Sequence, residues 1–263
     1  MMAGHPPTAE SIRTVEFLGF TLWDGDVKQV VATIDARLRD HLMTRVVPVN
    51  PHIVLVARSD PEFSKALRED SVAVCDGFGI SLSHLILRGA LLSRAPGVDL
   101  MGALIDYAAM HGKKVYLLGG TNGSAGRCAE VFTLKHPKLQ IAGVHEPPQV
   151  QRIDDFDNNQ LVSLVKEANP DMLFVALGVP KQELWLSRYR RVLNVPFVMG
   201  VGASFDFLSG RVPRAPRVLR VAGLEWLYRV FREPGRLWKR YLVGVPSFVS
   251  LVFRELIRSW RGS

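Results

Sequence analysis

Met172-Leu-Phe-Val-Ala-Leu177 is a run of apolar residues that ends at Gly178-Val-Pro180, and a helical pattern begins at Lys181. A strand with no polar face is typical of a parallel sheet that is covered by helices on both sides. Similar short apolar runs, most of them followed by a helical pattern, occupy residues 46–49, 71–75, 114–118, 139–142 and 197–199. The alternation predicts an α/β fold, a Rossmann-like and mostly parallel sheet with helices on both faces.

Outside these alternating strands and helices, the sequence predicts an N-terminal lead and a C-terminal appendage. Residues 1–13 show no pattern and are expected to be flexible, and residues 17–23 alternate in hydrophobicity like one strand. Asp26 is expected to cap the helix that follows. We place a catalytic domain at 14–212 and a basic, amphipathic, membrane-associating helical appendage at 213–263.

The positive charge of the chain is concentrated in that appendage. The net charge is +8, and twelve of the 33 Lys and Arg residues but three of the 25 Asp and Glu residues lie from Arg211 onward. An anionic membrane, a phosphorylated ligand and nucleic acid are the candidate partners of such a segment. Apolar residues between the arginines, Trp226 and Phe231 among them, favour a partner with both phosphate and lipid over nucleic acid.

Cysteine usage and the lengths of the apolar runs indicate in which cellular compartment the protein is expected. Cys75 and Cys128 form no metal or redox motif and are expected to pack as small apolar residues, which suits a reducing cytoplasm. Residues 1–15 lack the apolar run of a signal peptide. The longest uncharged apolar run, 241–253, is interrupted by Pro246 and is too short to span a bilayer. It predicts either an interfacial helix or a buried amphipathic helix.

Polar and glycine-rich clusters follow the predicted strands, and in an open parallel sheet they converge on one edge. These clusters are Asn50, residues 76–79, residues 119–123, residues 178–183 and residues 200–206. Gly119 and Gly120 allow backbone N–H groups to approach a phosphate, or simply make a turn. Asp76 is a candidate general base, although spacing alone favours a helix cap. Asp206 is either an acceptor for a ribose or base or another cap.

Two Asp-x-Asp strings could hold a divalent metal. Asp24 with Asp26, and Asp155 with Asp157, both precede predicted helices instead of ending a core strand. We interpret both as helix caps, and the histidines show no ligand spacing. The sequence therefore predicts no metal and no other cofactor.

Taken in order, seven strings resemble the WecG/TagA/CpsF family of bacterial glycosyltransferases over about residues 14–238. They are residues 49–51, 76–79, 94–100, 119–120, 177–183, 200–206 and 214–226. The resemblance implies an inverting hexosyltransferase that moves a sugar from a UDP-sugar to a sugar on undecaprenyl diphosphate for a surface polysaccharide or exopolysaccharide. It also implies a peripheral protein at the cytoplasmic face of the bacterial inner membrane, and the sequence is compatible with a homo-oligomer.

The resemblance assigns roles to individual residues. Asp76 matches the catalytic base. The other residues expected to line the active site are Asn50, Arg94 and Gln182. The substrate-binding residues are expected to be Gly119, Gly120, Gly178, Lys181, Gly202 and Asp206, with Asp206 near the uridine. Appendage arginines that close over the site match Arg229, Arg232 and Arg236.

One position departs from the family pattern. Pro48 stands where members commonly have a threonine, two residues before Asn50. The missing hydroxyl leaves UDP-glucose and UDP-N-acetylmannosamine as equal candidates for the donor. A membrane-associated nucleotide-binding regulator without catalysis is the alternative from another functional class.

Overall fold

The computed structural model describes residues 12–69, 71–221, 223–232 and 234–261, so residues 1–11 of the predicted lead lie outside it. The strands are β1 Arg13–Phe17, β2 Phe20–Asp24, β3 Thr44–Val49, β4 Val72–Cys75, β5 Lys114–Gly119, β6 Gln140–His145, β7 Met172–Ala176 and β8 Phe197–Gly200. The helices are α1 Val27–Arg39, α2 Pro51–Ser59, α3 Pro61–Arg68, α4 Phe78–Arg88, α5 Gly97–Met110, α6 Ser124–Lys135, α7 Asn158–Ala168, α8 Lys181–Leu193, α9 Ser204–Leu208, α10 Arg217–Val221, α11 Glu225–Arg232 and α12 Pro234–Arg261.

In the described part of the chain the strands form one eight-stranded sheet in the order β1-β2-β4-β3-β8-β7-β5-β6. Only β1 and β2 pair antiparallel, and every other neighbouring pair is parallel. The central strand β7 is buried along its whole length. The predicted α/β fold, a Rossmann-like and mostly parallel sheet with a C-terminal helical segment, is confirmed.

The prediction of one strand over residues 17–23 is wrong, because this segment contains a hairpin turn. Leu18 and Gly19 have φ angles of 51° and 87° and connect β1 to β2. A two-residue turn with both φ values positive matches the right-handed twist of paired strands. Arg13, placed in the flexible lead by the sequence, is the first residue of β1.

Helices cover both faces of the sheet. Helices α1, α5, α6 and α9 pack in one hydrophobic cluster on the first face. Helices α2, α3, α4, α7, α8 and the middle of α12 pack in two clusters on the second face. The chain therefore leaves β3, through α2, and β8, through α9, toward opposite faces.

The C-terminal helix α12 packs against this second face. Phe248, Leu251 and Val252 are buried in one cluster with Ile53 of α2 and Ile80 of α4. Residues 241–253 were predicted to form either an interfacial helix or a buried amphipathic helix. The burial of Phe248, Leu251 and Val252 agrees with the buried amphipathic helix. The helix also exposes apolar residues, since Leu242 and Val243 are each at least 66% exposed. The division of the chain at residue 213 remains a prediction.

Candidate active site

The carboxyl ends of β3 and β4 carry the two side chains from which the candidate site is built. Asn50 directly follows β3, and Asp76 directly follows β4. β3 lies between β4 and β8. Because the chain leaves β3 and β8 toward opposite faces, a crevice opens at this end of the sheet, where open α/β sheets bind their ligands.

Two donors hold the half-buried carboxylate of Asp76. Asn50 Nδ2 donates to Asp76 Oδ2 at 3.1 Å, and the backbone N–H of Gly97 donates to Asp76 Oδ1 at 3.1 Å. Asn50 is itself fixed as the N-cap of α2, where its Oδ1 accepts from the N–H groups of His52 and Ile53. The carboxylate therefore has a defined orientation, which a general base needs.

Asp76 does cap a helix, but it is not the helix that follows it in the sequence. The N-cap of α4 is Gly77, which has a φ of 95° and provides no side-chain hydrogen bond. Asp76 instead accepts from Gly97 at the N-terminus of α5. The interpretations as a cap and as a candidate base are therefore compatible in this structure.

Arg94 lies beside this carboxylate in the same crevice. Its guanidinium carbon is 5.8 Å from the centre of the Phe78 ring, a cation–π contact that holds the charge in place. The neighbouring thiol of Cys75 is inert, because burial, with the charge of Asp76 added, raises its pKa to about 12. Cys75 is therefore a packed apolar residue, as the sequence predicts.

A large cavity extends from Asp76 between the sheet edge, α4 and α12. Its volume is about 1130 Å³. The polar side chains of its lining include Asn50, Asp76, Arg94, Asp99, Arg214, Arg217 and Arg220. The apolar walls come chiefly from Leu55, Leu82, Ile86, Trp226, Val245, Phe248, Val249, Val252 and Phe253. The cavity can therefore accommodate a molecule with an anionic head and an apolar tail.

The Gly119-Gly120 turn does not line this cavity, and N–H groups at the helix start that follows it already have a partner. Glu146, at the end of β6, accepts from the N–H groups of Gly123 at 2.8 Å and Ala125 at 2.6 Å. This carboxylate occupies the N-terminus of α6, where the sequence predicted a phosphate. Gly119 is required for packing, because a Cβ there would lie 2.5 Å from the carbonyl oxygen of Ala176.

Gln182 is also outside the cavity lining, in a buried polar network. Its Oε1 accepts from the N–H of Gly202 at 3.1 Å, and its Nε2 donates to Glu183 Oε1 at 3.1 Å. Glu183 in turn forms a fully buried ion pair with Arg45, with 3.0 Å between Glu183 Oε2 and Arg45 Nη2. Through its hydrogen bond with Gly202, Gln182 holds the turn after β8 in position.

The remaining predicted substrate-binding residues lie at the ends of β7 and β8. Lys181 Nζ donates to the carbonyl oxygen of Val150, and Gly178 forms the turn before α8 with a φ of 79°. Asp206, on α9, is half-buried, and its Oδ1 is 3.3 Å from Arg211 Nη1. These residues lie beside the cavity instead of lining it, and their roles toward a ligand remain predictions.

The model of the Glycosyl transferase WecG/TagA/CpsF family matches residues 15–262, which is nearly the whole chain. The chain belongs to this family. The seven sequence strings that carried the resemblance therefore identified the family correctly.

Similar members of the family include proteins from Bacillus and Staphylococcus. The chain is 32% identical to an N-acetylglucosaminyldiphosphoundecaprenol N-acetyl-beta-D-mannosaminyltransferase of Bacillus spizizenii, over 80% of this chain and 79% of that protein. It is 32% identical to the enzyme of the same name from Bacillus subtilis, over 79% and 78% of the two chains. The corresponding figures for Staphylococcus aureus strain MW2 are 30% identity over 78% and 77%.

The appendage arginines that line the cavity of this family member differ from those predicted. Arg214, Arg217 and Arg220 line it. Arg232 is exposed and is not part of the lining. The side chains of Arg229 and Arg236 lie outside the described residues. The positive charge from Arg211 onward indicated phosphate binding in the sequence. No local sequence pattern showed that Arg214, Arg217 and Arg220 share a cavity with Asp76.

Both Asp-x-Asp strings have structural partners. Asp26 caps α1 and Asp157 caps α7 through the backbone N–H groups of Gln29 and Gln160. Asp24 accepts from the N–H of Ser93 at 2.8 Å. Among the described residues no group of three or more His, Cys, Asp and Glu side chains is arranged to hold a metal ion.

Proposed function

We propose that the protein is an inverting hexosyltransferase that transfers a sugar from a UDP-sugar to a sugar carried on a polyprenyl diphosphate such as undecaprenyl diphosphate. The observation that carries the proposal is one cavity whose lining combines Asp76, the arginines Arg94, Arg217 and Arg220, and apolar walls. A polyprenyl-diphosphate sugar has a sugar, an anionic linker and a lipid in that order. The names of the relatives in Bacillus and Staphylococcus support an acceptor of this class.

Asp76 performs the proton transfer in this proposal. The acceptor hydroxyl attacks the anomeric carbon of the donor, the bond from that carbon to the UDP oxygen breaks, and the hydroxyl proton passes to the Asp76 carboxylate. A single displacement inverts the anomeric centre. Asn50 and the Gly97 N–H keep the carboxylate turned toward the cavity during this step.

The cavity arginines stabilise diphosphate charge. Arg217 makes no hydrogen bond or ion pair with another described residue, so its guanidinium is available to a ligand. Arg94 and Arg220 are on the same lining. Guanidinium groups bind phosphate oxygens through a two-donor fork, which suits both the leaving UDP and the linker of the acceptor.

The donor sugar stays open between N-acetylmannosamine and glucose. The names of the relatives favour an N-acetylmannosaminyl donor. Pro48 favours a difference from them, because it is buried in β3 and has no hydroxyl to offer a donor. It also packs tightly, since a Cβ on Gly97 would lie 3.3 Å from the Pro48 ring.

A panel of UDP-sugars tested against a polyprenyl-diphosphate-linked monosaccharide decides the proposal. We expect UDP release that depends on both substrates, together with a disaccharide product of inverted anomeric configuration. Binding of UDP without release from any donor would contradict the proposal and support a membrane-associated nucleotide-binding regulator instead.

We further propose that the protein docks on the anionic inner membrane. Helix α12 exposes Leu242 and Val243, which do not line the cavity, and Phe231 of α11 is 76% exposed. These apolar residues lie within the strongly basic end of the chain, a combination typical of interfacial helices. No helix in the described part of the chain has the length and apolarity to cross a membrane. Docking would place the open cavity near its lipid-linked acceptor.

Catalysis is expected to need no divalent metal. Asp26 and Asp157 are engaged as helix caps, which motivates this expectation. The cavity arginines can also stabilise the charge of the diphosphate. Turnover should therefore be unchanged in EDTA. Loss of turnover in EDTA with recovery in Mg²⁺ or Mn²⁺ would refute it and direct attention to Asp155 and Asp157.

A further inference from the structure

The orientation of Asp76 depends on the first turn of α5. Gly97 is the first residue of α5, and its N–H donates to the Asp76 carboxylate. The turn packs closely on the sheet, because a Cβ on Gly97 would lie 3.3 Å from the ring of Pro48 in β3, a tight contact. A displacement of this turn would therefore move a hydrogen bond to the proposed base.

The same turn is bound to the start of the appendage. Asp99 accepts hydrogen bonds from both terminal nitrogens of Arg214, with 2.8 Å between Asp99 Oδ2 and Arg214 Nη2. A bidentate pair of this kind fixes direction as well as distance. Arg220 adds a weaker contact, at 4.0 Å from Asp99 Oδ1.

Arg214 also contacts the helix that follows. Its Nε lies 3.5 Å from Glu225 Oε1, at the beginning of α11. Burial by itself would lower the pKa of Arg214, but the hydrogen bonds and charges of Asp99 and Glu225 raise it, so the guanidinium stays charged. One cation therefore joins the first turn of α5 to the first turn of α11.

We propose that Asp99 and Arg214 are positioning residues, which keep the first turn of α5 in the place where Gly97 orients the Asp76 carboxylate. Docking of the arginine segment 214–225 then becomes a condition for correct base geometry. The proposal rests on the proposed role of Asp76 as the base. It assigns the pair no contact with either substrate.

The test is a double-mutant cycle with Asp99→Asn and Arg214→Gln. Each single variant should lower kcat by roughly 10- to 100-fold, because small misplacements of reacting groups have effects of that size. KM for the acceptor should change by less than about twofold. The double variant should lose no more than either single variant, because the two side chains act as one unit. Asp99→Glu keeps a bidentate acceptor and should recover most of kcat.

A second readout does not depend on activity. Backbone amide hydrogen exchange in the peptide that covers residues 96–101 should be faster in both single variants, because the turn loses its fixed position. Asp106→Asn is the matched control on the same helix, where Asp106 pairs with Lys135 at 2.7 Å away from the site. It should change neither kcat nor exchange in this peptide.

Three results would overturn the proposal. Unchanged kcat in both folded single variants would show that the pair positions nothing. Multiplicative losses, or losses that appear in KM, would show that the side chains contact substrate directly. Loss of kcat without faster exchange at 96–101 would show that the effect does not pass through α5. If Asp76→Asn kept full turnover, the base assignment would fail instead, whatever the cycle gave.

Discussion

Asp76→Asn is expected to lower turnover by roughly 10²–10⁴-fold while UDP binding stays near the wild-type level. Asparagine keeps the shape of the side chain, and its oxygen can still accept from the Gly97 N–H, but it cannot take a proton from the acceptor hydroxyl. Steady-state kinetics with saturating acceptor and calorimetry with UDP measure the two quantities. Near wild-type turnover would eliminate Asp76 as the base.

A structural effect of the same substitution has to be separated from the chemical one. In the variant the new amide nitrogen faces Asn50 Nδ2, which now donates to Asp76 Oδ2. Two donors that face each other cost about 1–3 kcal/mol if neither finds another acceptor. Thermal unfolding of the variant measures this cost. Asp60→Asn is the matched control, because Asp60 also accepts a backbone hydrogen bond, from Phe63 at 3.0 Å, and lies outside the cavity.

Truncation after Arg217 is expected to abolish binding to anionic vesicles and to lower turnover by roughly 10²–10³-fold, even on a short-chain, water-soluble acceptor. The truncation removes Arg220 and the α12 wall of the cavity. It also removes nine Lys and Arg residues, and each basic residue near an anionic leaflet contributes about 1 kcal/mol to binding. Vesicle sedimentation and kinetics on the soluble acceptor measure the two effects.

Point variants separate anchoring from catalysis, because the truncation also exposes the apolar surface that Phe248, Leu251 and Val252 cover. The double variant Leu242→Ser with Val243→Ser changes two exposed residues that do not line the cavity. It should weaken vesicle binding and leave turnover on the soluble acceptor unchanged. Arg220→Gln should do the reverse. A folded truncated protein with full turnover on the soluble acceptor would make the appendage an anchor only.

Local sequence pattern was sufficient for the elements of the fold and for several of their ends. Apolar runs such as 172–177 correspond to buried strands because a parallel strand that is covered on both faces has no place for a polar side chain. Asp26 and Asp157 were predicted as caps because a cap bonds to N–H groups two or three residues away. The hairpin at Leu18 and Gly19 was missed because alternation continues through a two-residue turn.

The seven family strings also determined the family, and the strand ends placed Asn50 and Asp76 at one edge of the sheet. The carboxyl ends of neighbouring parallel strands must lie together, so the order of strand and helix is enough to predict this convergence. It was not enough to show which groups the clusters bind. Glu146 fills the N-terminus of α6, and it lies 23 residues beyond Gly123, whose N–H it accepts from.

Only the tertiary structure decided how the two ends of the chain meet at the site. Asp99 and Arg214 are 115 residues apart, and the family resemblance pointed to Arg229, Arg232 and Arg236 instead. Periodicity reports which side of a helix is apolar, but not which surface that side packs against. The burial of α12 on α2 and α4, and with it the closure of the cavity, results from contacts between residues distant in sequence, which no local pattern encodes.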